Sequence, residues 1–118
     1  MEYMLMIYSD SSRFTALPEA QQAEGLAAYG AYYEALQKAG VLRGSNRLRP
    51  AQTATTVRMQ SGKTEVLNGP YAETREQLGG YFLIDVRDLD TALSWASRCP
   101  GASHGVVEVR PIWPMGAD

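Results

Sequence analysis

Two glutamates three residues apart are the side chains of this chain best suited to proton transfer. Glu73 and Glu76 follow a turn at residues 68–70 that reads Asn-Gly-Pro. On a helical turn, residues three apart share one face, and two carboxyl groups held close together raise the pKa of one of them. The spacing therefore predicts a carboxylate pair that could accept a proton from a substrate. Solvated glutamates, with Arg75 between them as a balancing charge, are the alternative explanation.

Two arginines are candidates for holding an anionic ligand. Arg58 and Arg110 each lie on the polar alternation of a predicted strand. A guanidinium can give a carboxylate or a phosphate two parallel hydrogen bonds, so an arginine that projects from a sheet into a cleft would anchor such a group. Surface ion pairs with Glu65 or Glu108 are the alternative.

Three more polar side chains are candidates for ligand contacts. Asn68 and Tyr71 belong to the turn and its flank, and Tyr29 lies in an aromatic cluster of the first predicted helix. The amide of Asn68 can orient a ligand, but it has no acid or base capacity near neutral pH. A structural role explains the same residues, because asparagine is a common turn residue and a helix tyrosine often packs in a core with its hydroxyl at a polar rim.

The sequence offers no recognisable motif for a metal or a cofactor. It contains one histidine, His104, and one cysteine, Cys99, and neither has neighbours at metal-ligand spacing. A Ser-His-Asp set and a phosphate-cradling glycine loop are also missing. We therefore expect a site that works without a metal or a tightly held cofactor. His104 could act as a general base, although a lone histidine in a loop is more often simply solvated.

Composition and charge predict a single cytoplasmic domain, residues 1–118, that binds neither nucleic acid nor membrane. Basic residues number 11 and acidic residues 13, and they are spread along the chain, so no cationic stripe is available for phosphates. The longest apolar run, residues 81–84, is too short to cross a bilayer, and the N-terminus has no signal-peptide pattern. A single cysteine cannot form an internal disulfide.

The hydrophobic pattern predicts the elements that must position these side chains. Residues 3–8 are apolar on both alternations, which is typical of a strand covered on both faces. A helix is predicted from Pro18 to Gly40, because proline favours a first helical turn and glycine a helix end. Its predicted buried stripe is Leu26, Tyr29, Tyr33 and Leu36.

The rest of the chain reads as five more strands and a second helix. The strands are predicted over residues 41–48, 53–60, 64–67, 81–86 and 106–113, with Ser61-Gly62-Lys63 as a hairpin turn. Asp88 is predicted to cap the second helix, whose buried side would carry Leu89, Ala92, Leu93 and Ala96.

This order of elements predicts an α+β fold, the ferredoxin-like sandwich. Two helices cover only one face of such a sheet. The second alternation of the first strand, joined by Tyr81 and Leu83, would then leave a larger apolar patch than soluble monomers usually carry. The pattern therefore predicts a homodimer with its sheets face to face. A central strand under long loops is the alternative.

Four segments form a specific combination of motifs. They read Asn-Gly-Pro-Tyr-Ala-Glu at residues 68–73, Gln-Leu-Gly-Gly-Tyr-Phe-Leu-Ile-Asp-Val at 77–86, Asp-Leu-Asp-Thr-Ala-Leu-Ser-Trp at 88–95, and Val-Glu-Val-Arg-Pro-Ile-Trp at 107–113. The chain resembles the YCII-related family, specifically the branch named after an Asp-Gly-Pro-Phe motif. The resemblance covers nearly the whole chain and implies the dimeric α/β-barrel arrangement. It implies no reaction, because that branch has no settled activity.

The chain departs from the branch motif at two positions. Asn68 stands where the family has aspartate, and Tyr71 stands where it has phenylalanine. If the family reaction needs that aspartate, this member is impaired or uses another group. A histidine and aspartate pair proposed to act in the related YCII branch falls near Tyr29 and Cys99 here, so the resemblance carries no histidine mechanism to this chain.

The residues and the resemblance together predict a homodimer that binds or transforms a small polar organic molecule in a metal-free cleft. Arg110 would hold an anionic group, Tyr71 or Tyr29 would contact the ligand, and Glu73 or Glu76 would accept a proton. Branch members are often associated with genes for extracytoplasmic-function sigma factors. The resemblance therefore implies a non-catalytic regulatory or binding module, linked to sigma-factor transcription, as the alternative.

Overall fold

The described part of the chain folds into a four-stranded antiparallel sheet, four α-helices, a short 3₁₀ helix (Ala51–Thr53) and a separate hairpin. The structure is a computed structural model that describes residues 1–116. In chain order the strands and α-helices are β1 (Glu2–Ser9), α1 (Ser11–Thr15), α2 (Glu19–Lys38), β2 (Leu42–Arg47), β3 (Thr55–Gln60), β4 (Lys63–Asn68), β5 (Gln77–Asp85), α3 (Leu89–Arg98), α4 (Gly101–His104) and β6 (Val106–Pro111). The sheet order is β2-β5-β1-β6, and β3 pairs with β4. Apart from the hairpin, this is the strand order of the ferredoxin-like sandwich, so the predicted α+β fold is confirmed.

The core lies between one face of the sheet and the two longer helices. Alternate strand residues point to opposite faces, and Tyr3, Leu5 and Ile7 of β1 all point into the core. On the neighbouring strand β5, Phe82 lies opposite Leu5 and Ile84 lies opposite Tyr3. These five buried side chains form one continuous layer. The helices cover this layer, and the other face of the sheet carries the second alternation of each strand.

Helix α2 packs on the core layer through a face rotated from the predicted one. Tyr32 and Leu36 are buried, whereas Leu26 and Tyr33 are 47% and 40% exposed. The Tyr32 ring meets the Phe82 ring edge-on, with 5.1 Å between centroids. Apolar residues occur all round α2, so its sequence does not single out one face. The contact with the sheet selects the face instead, and the predicted stripe is wrong at Leu26 and Tyr33.

Small residues let α3 lie close to the core. Ala92 and Ala96 are buried as predicted, but Leu89 and Leu93 are each 47% exposed. The ring of Trp95 fills the space towards α2, at 6.3 Å from the Tyr32 ring. The predicted buried side of this helix is therefore right for its alanines and wrong for its leucines.

Within residues 1–116, no helix has both the length and the hydrophobicity needed to span a bilayer.

We expect a methyl group at Gly105 to disrupt the junction between β1 and β6. A Cβ there would lie 2.1 Å from the carbonyl oxygen of Tyr8, which cannot move without disturbing β1. Gly105→Ala should therefore lower the free energy of unfolding by about 3 kcal/mol. Gly30→Ala is the control, because a Cβ at Gly30 meets nothing within 4 Å. It should raise stability by about 1 kcal/mol, since alanine is the better helix former.

Urea denaturation at a fixed protein concentration measures both changes as shifts of the midpoint. An unchanged midpoint for Gly105→Ala would contradict the close approach of the two strands.

The N-cap of α3 should make stability depend on acid pH. The Asp88 carboxylate accepts hydrogen bonds from the Thr91 amide at 2.8 Å and from the Thr91 hydroxyl at 2.6 Å. These bonds hold the pKa of Asp88 below its ordinary value of 3.8. Because the folded-state pKa is the lower one, the cap stabilises the protein fully above the unfolded-state pKa and is lost as pH falls through the folded-state pKa.

Two variants separate the cap from its charge. Asp88→Asn keeps an acceptor and should match the parent near neutral pH, yet lose less thermal stability on acidification. Asp88→Ala removes the acceptor and should be less stable than the parent at neutral pH. Circular-dichroism melts over a pH series test both, and equal acid sensitivity of the parent and Asp88→Asn would refute the assignment.

Candidate functional site

The face of the sheet opposite the helices combines an apolar floor with polar side chains at both sides. We call it the open face. Its central strands carry Met4, Met6, Tyr8, Tyr81 and Leu83, all half-buried. Cross-strand pairing sets Met4 opposite Leu83 and Met6 opposite Tyr81. The floor is therefore continuous over two rows of the sheet.

A hydrogen-bonded pair borders this floor on the β2 side. Asn46 lies opposite Tyr81 in the pairing of β2 with β5, and its amide nitrogen donates to the Tyr81 hydroxyl oxygen at 2.8 Å. Since this oxygen already accepts a hydrogen bond, the Tyr81 O–H remains available as a donor to a ligand. Gly44 sits one row away, opposite Leu83, and leaves room beside the floor because it has no side chain.

An ion pair borders the floor on the β6 side. Arg110 lies opposite Met4, Glu108 lies opposite Met6, and the Arg110 guanidinium donates to the Glu108 carboxylate. The Arg110 side chain is 68% exposed, so it can reach a ligand. A carboxylate ligand would have to replace Glu108 as its acceptor. The predicted surface pairing of Arg110 with Glu108 is present, and the guanidinium still lies at the edge of an open surface.

The hairpin and its base carry three other residues that the sequence marked. Asn68 is the last residue of β4 and pairs with Thr55. The chain then turns at Gly69, whose positive φ of 107° suits glycine. Beyond this turn, the Tyr71 ring lies 5.6 Å from the Arg58 guanidinium, within cation–π range. Arg58 and Tyr71 therefore form a local pair on one face of the hairpin, Asn68 lies on the other face, and all three are separate from Arg110 on the sheet.

Glu73 and Glu76 do not share a helical face as their spacing predicted. Residues 71–76 contain no helical turn, and both glutamates are exposed. Local hydrogen bonds shape this segment instead. The side-chain amide of Gln77 donates to the carbonyl oxygens of Ala72 and Thr74, each at 2.8 Å. Because residues 73–76 form no helical turn, the predicted carboxylate pair is wrong as a helical pair.

Tyr29 lies on the helix side of the sheet, whereas Arg110 lies on the open face. A Cβ added to Gly101 would lie 2.6 Å from the Tyr29 hydroxyl oxygen and 3.8 Å from the Cys99 sulfur, so the hydroxyl and the thiol converge on this glycine. Burial, and then the neighbouring Cys99, raise the pKa of Tyr29 to about 12. Burial also raises the pKa of the Cys99 thiol. Both groups keep their protons at neutral pH, which leaves Cys99 without thiolate reactivity.

The seven marked residues thus fall into four places in one chain. Arg110 is on the open face, Tyr29 is behind the sheet, and the hairpin base and the segment after it hold the rest. Sequence reasoning missed Asn46 as a polar partner of Tyr81. Only the pairing of β2 with β5 reveals it, since the two residues are 35 positions apart.

A shallow groove of about 390 Å³ lies between the end of α2 and β2. It is lined by Tyr33, Gln37, Gly40, Leu42, Arg43 and Gly44. Arg43 is held by the carbonyl oxygen of Gly40 at 3.1 Å and by the Asp85 carboxylate at 3.6 Å. Gly44 alone links this groove to the open face, and none of the seven residues that the sequence marked lines it. Among residues 1–116, no three His, Cys, Asp or Glu side chains come close enough to hold a metal ion.

Comparison with known proteins gives both a family and a fold. The family described as YCII-related domain matches residues 1–116. An uncharacterised protein of Rhizobium meliloti (strain 1021) is 38% identical over 114 residues, which are 95% of this chain and 92% of that protein.

A solved structure is also similar to this chain. It is the 5-chloro-2-hydroxyhydroquinone dehydrochlorinase of Burkholderia phenoliruptrix AC1100, in complex with 2,5-dihydroxybenzoquinone. The match has a TM-score of 0.56 and 13% identity, and it covers 98% of this chain and 96% of the other. At this identity the likeness concerns the fold alone, and it agrees with the α+β sandwich. Because the family model matches residues 1–116 and a relative is 38% identical over 95% of the chain, the chain belongs to the YCII-related family.

Proposed function

We propose that the chain forms a homodimer in which two open faces meet and hold a small organic anion between them. One observation carries the dimer. The chain exposes 8465 Å², whereas a compact monomer of 12.9 kDa exposes about 6,300 Å². The excess of roughly 2,000 Å² exceeds the ~800 Å² that each partner of a standard interface buries.

The composition of the open face supports a covering partner. Met4, Met6 and Leu83 present large apolar side chains there, and both longer helices pack on the other side. Contiguous apolar surface of this kind marks an interaction site in soluble proteins. A second copy covers it most simply, because a two-fold axis places the same surface on both partners.

The polar side chains of the open face support the ligand class. Arg110 lies at one side of the apolar floor and the Tyr81 hydroxyl at the other. A molecule with an apolar body, a carboxylate at one end and a hydroxyl or carbonyl at the other matches this arrangement. The solved structure with the same fold contains a small cyclic compound with oxygen substituents, which supports the class but no reaction.

Most of the remaining candidate residues keep their proposed roles around this ligand. Asn68, Tyr71 and Arg58 would contribute from the hairpin, whereas Tyr29, packed against Gly101 behind the sheet, would keep a structural role. Glu73 and Glu76 remain the proposed proton acceptors, acting as separate side chains on an exposed segment. We also propose that the chain belongs to the Asp-Gly-Pro-Phe branch, on the resemblance at residues 68–73.

A regulatory module linked to an extracytoplasmic-function sigma factor is the second candidate. Asn68 favours it, because the turn of the branch motif has an amide here in place of an ionisable carboxyl group. Ligand binding without turnover, together with co-purification of a sigma factor, would support this candidate over an enzyme.

A charge on the open face should separate the dimer. Leu83→Lys would bury an ammonium group at the interface of both copies, so we expect the dimer dissociation constant to rise about 100-fold. Leu93→Lys is the matched control, because Leu93 is 47% exposed on α3, on the other side of the molecule. Analytical ultracentrifugation over a concentration series measures both. A parent chain that stays monomeric at all concentrations would contradict the proposed homodimer.

Arg110 should determine affinity for small carboxylates. We expect 4-hydroxybenzoate to bind the parent, and Arg110→Ala to weaken binding about 10-fold or more, because a charge-assisted hydrogen bond is lost. Glu108→Gln should tighten binding, since it removes the carboxylate that competes for the guanidinium. Arg87→Ala, which removes an equal charge from an 86% exposed side chain, is the control.

Isothermal titration calorimetry gives the dissociation constants. The ligand proposal fails if the parent binds neither 4-hydroxybenzoate nor other small ring carboxylates, or if Arg87→Ala weakens binding as much as Arg110→Ala.

A further inference from the structure

The hairpin of β3 and β4 extends from the rest of the chain as a two-stranded arm. Its strands pair over six residues each, from Thr55–Asn68 at the base to Gln60–Lys63 at the tip. The tip is Ser61-Gly62, both with positive φ, which is the two-residue turn that matches the twist of a hairpin. The base is closed by a 2.7 Å hydrogen bond from the Gly69 amide to the Ala54 carbonyl oxygen. Every residue of β4 is exposed.

One face of this hairpin carries no charge, and we call it the arm face. Cross-strand partners share a face, so Val57 lies beside Val66 and Met59 lies beside Thr64 on it. Val57, Met59 and Val66 are 62%, 65% and 59% exposed. Thr55 and Asn68 complete the arm face at the base.

The opposite face of the hairpin is charged. Arg58 lies opposite Glu65 there, and Lys63 lies opposite Gln60 at the tip. The Tyr71 ring packs against the Arg58 guanidinium on this side. The hairpin is therefore amphipathic, with one side suited to water and the arm face suited to burial.

An isolated two-stranded hairpin is marginally stable in water and needs a further layer on its apolar side. Helices α2 and α3 pack on the four-stranded sheet and leave the arm face exposed. The radius of gyration, 16.3 Å, exceeds the roughly 13.5 Å of a compact domain of this length, as expected for a projecting arm. Within residues 1–116 no element covers the arm face, so a covering layer would come from another molecule.

The contact area that a stable dimer requires favours a second copy of the chain as the layer that covers the arm face. Four strands about 4.8 Å apart, of six to nine residues each, give the sheet face a planar footprint of roughly 400 to 500 Å². A standard interface buries ~800 Å² from each partner. The two exposed arm faces of a two-fold dimer add to this footprint and bring it towards that size.

We propose that the arm face of each copy packs on the other copy, so that the two hairpins clasp the dimer. This proposal rests on the homodimer of the proposed function and adds a second contact region to it. The arm binds through Val57, Met59 and Val66, while the charged face with Arg58 points away from this contact.

Adjacent residues of β4 provide a matched test. Val66 and Leu67 are both apolar and are 59% and 61% exposed, but they point to opposite faces of the hairpin. In the full-length chain, Val66→Lys should raise the dimer dissociation constant about 100-fold, because each two-fold dimer carries the buried charge twice. Leu67→Lys should change it by less than about threefold, since that side chain stays in water.

Sedimentation velocity measures the dissociation constant, and circular dichroism shows whether each variant is folded. If Val66→Lys unfolds the chain, Val66→Thr should still weaken the dimer, because it removes apolar contact at nearly constant shape. Equal effects of Val66→Lys and Leu67→Lys on the dissociation constant, or no effect of either, would contradict the proposed contact between the arm face and the other copy. A monomeric parent would instead overturn the proposed homodimer, so the two failures are distinguishable.

Discussion

The structure depends on one constraint, the mismatch between a sheet that is apolar on both faces and helices that can cover only one. Tyr3, Leu5 and Ile7 of β1 meet α2 and α3, and the same strand presents Met4 and Met6 on the other side. Burial of apolar side chains is the dominant stabilising term in folding, so the helix side forms the core. The apolar side chains that remain exposed on the open face are available for association with another molecule. The proposed dimer follows from this exposed apolar surface.

The same constraint decides where ligand chemistry is plausible. On the helix side, polar groups are committed to packing, as the Tyr32 hydroxyl shows by donating to the Trp95 carbonyl oxygen at 2.7 Å. On the open face, Asn46 with Tyr81 and Glu108 with Arg110 are pairs at the edges of an apolar floor. Such pairs can exchange one partner for a ligand without opening the core. A partner that covers the floor would also exclude water and strengthen their electrostatic interactions.

Local signals in the sequence predicted most of the fold, because they depend on neighbouring residues. Asp88 caps α3 through Thr91, three residues on, and Ser61-Gly62 closes the hairpin between adjacent strands. Signals that needed distant partners failed. The buried face of α2 was misjudged at Tyr33, since only contact with Phe82 identifies Tyr32 as the core residue. One local signal also failed, because the side chain of Gln77 holds residues 72–76 as an irregular segment instead of the helical turn that would pair Glu73 with Glu76.

The candidate site was less predictable than the fold for the same reason. Arg110 was found from its alternation within one strand, but its relation to Tyr81 depends on β1 lying between β5 and β6. Asn46 gave no signal of its own, because an exposed asparagine near a strand end is commonplace.

Tyr29 illustrates why a marked residue need not belong to a ligand cleft. Its hydroxyl lies so close to Gly101 that even one added methyl carbon would stand 2.6 Å from the oxygen. A ligand atom needs at least the space of that carbon, so the backbone of Gly101 already occupies the position a ligand would take beside this hydroxyl. The open face has the opposite property, since Arg110 is largely exposed and Gly44 leaves room beside Leu83. Space and polar groups therefore coincide on the open face, while on the helix side the polar groups are present without the space.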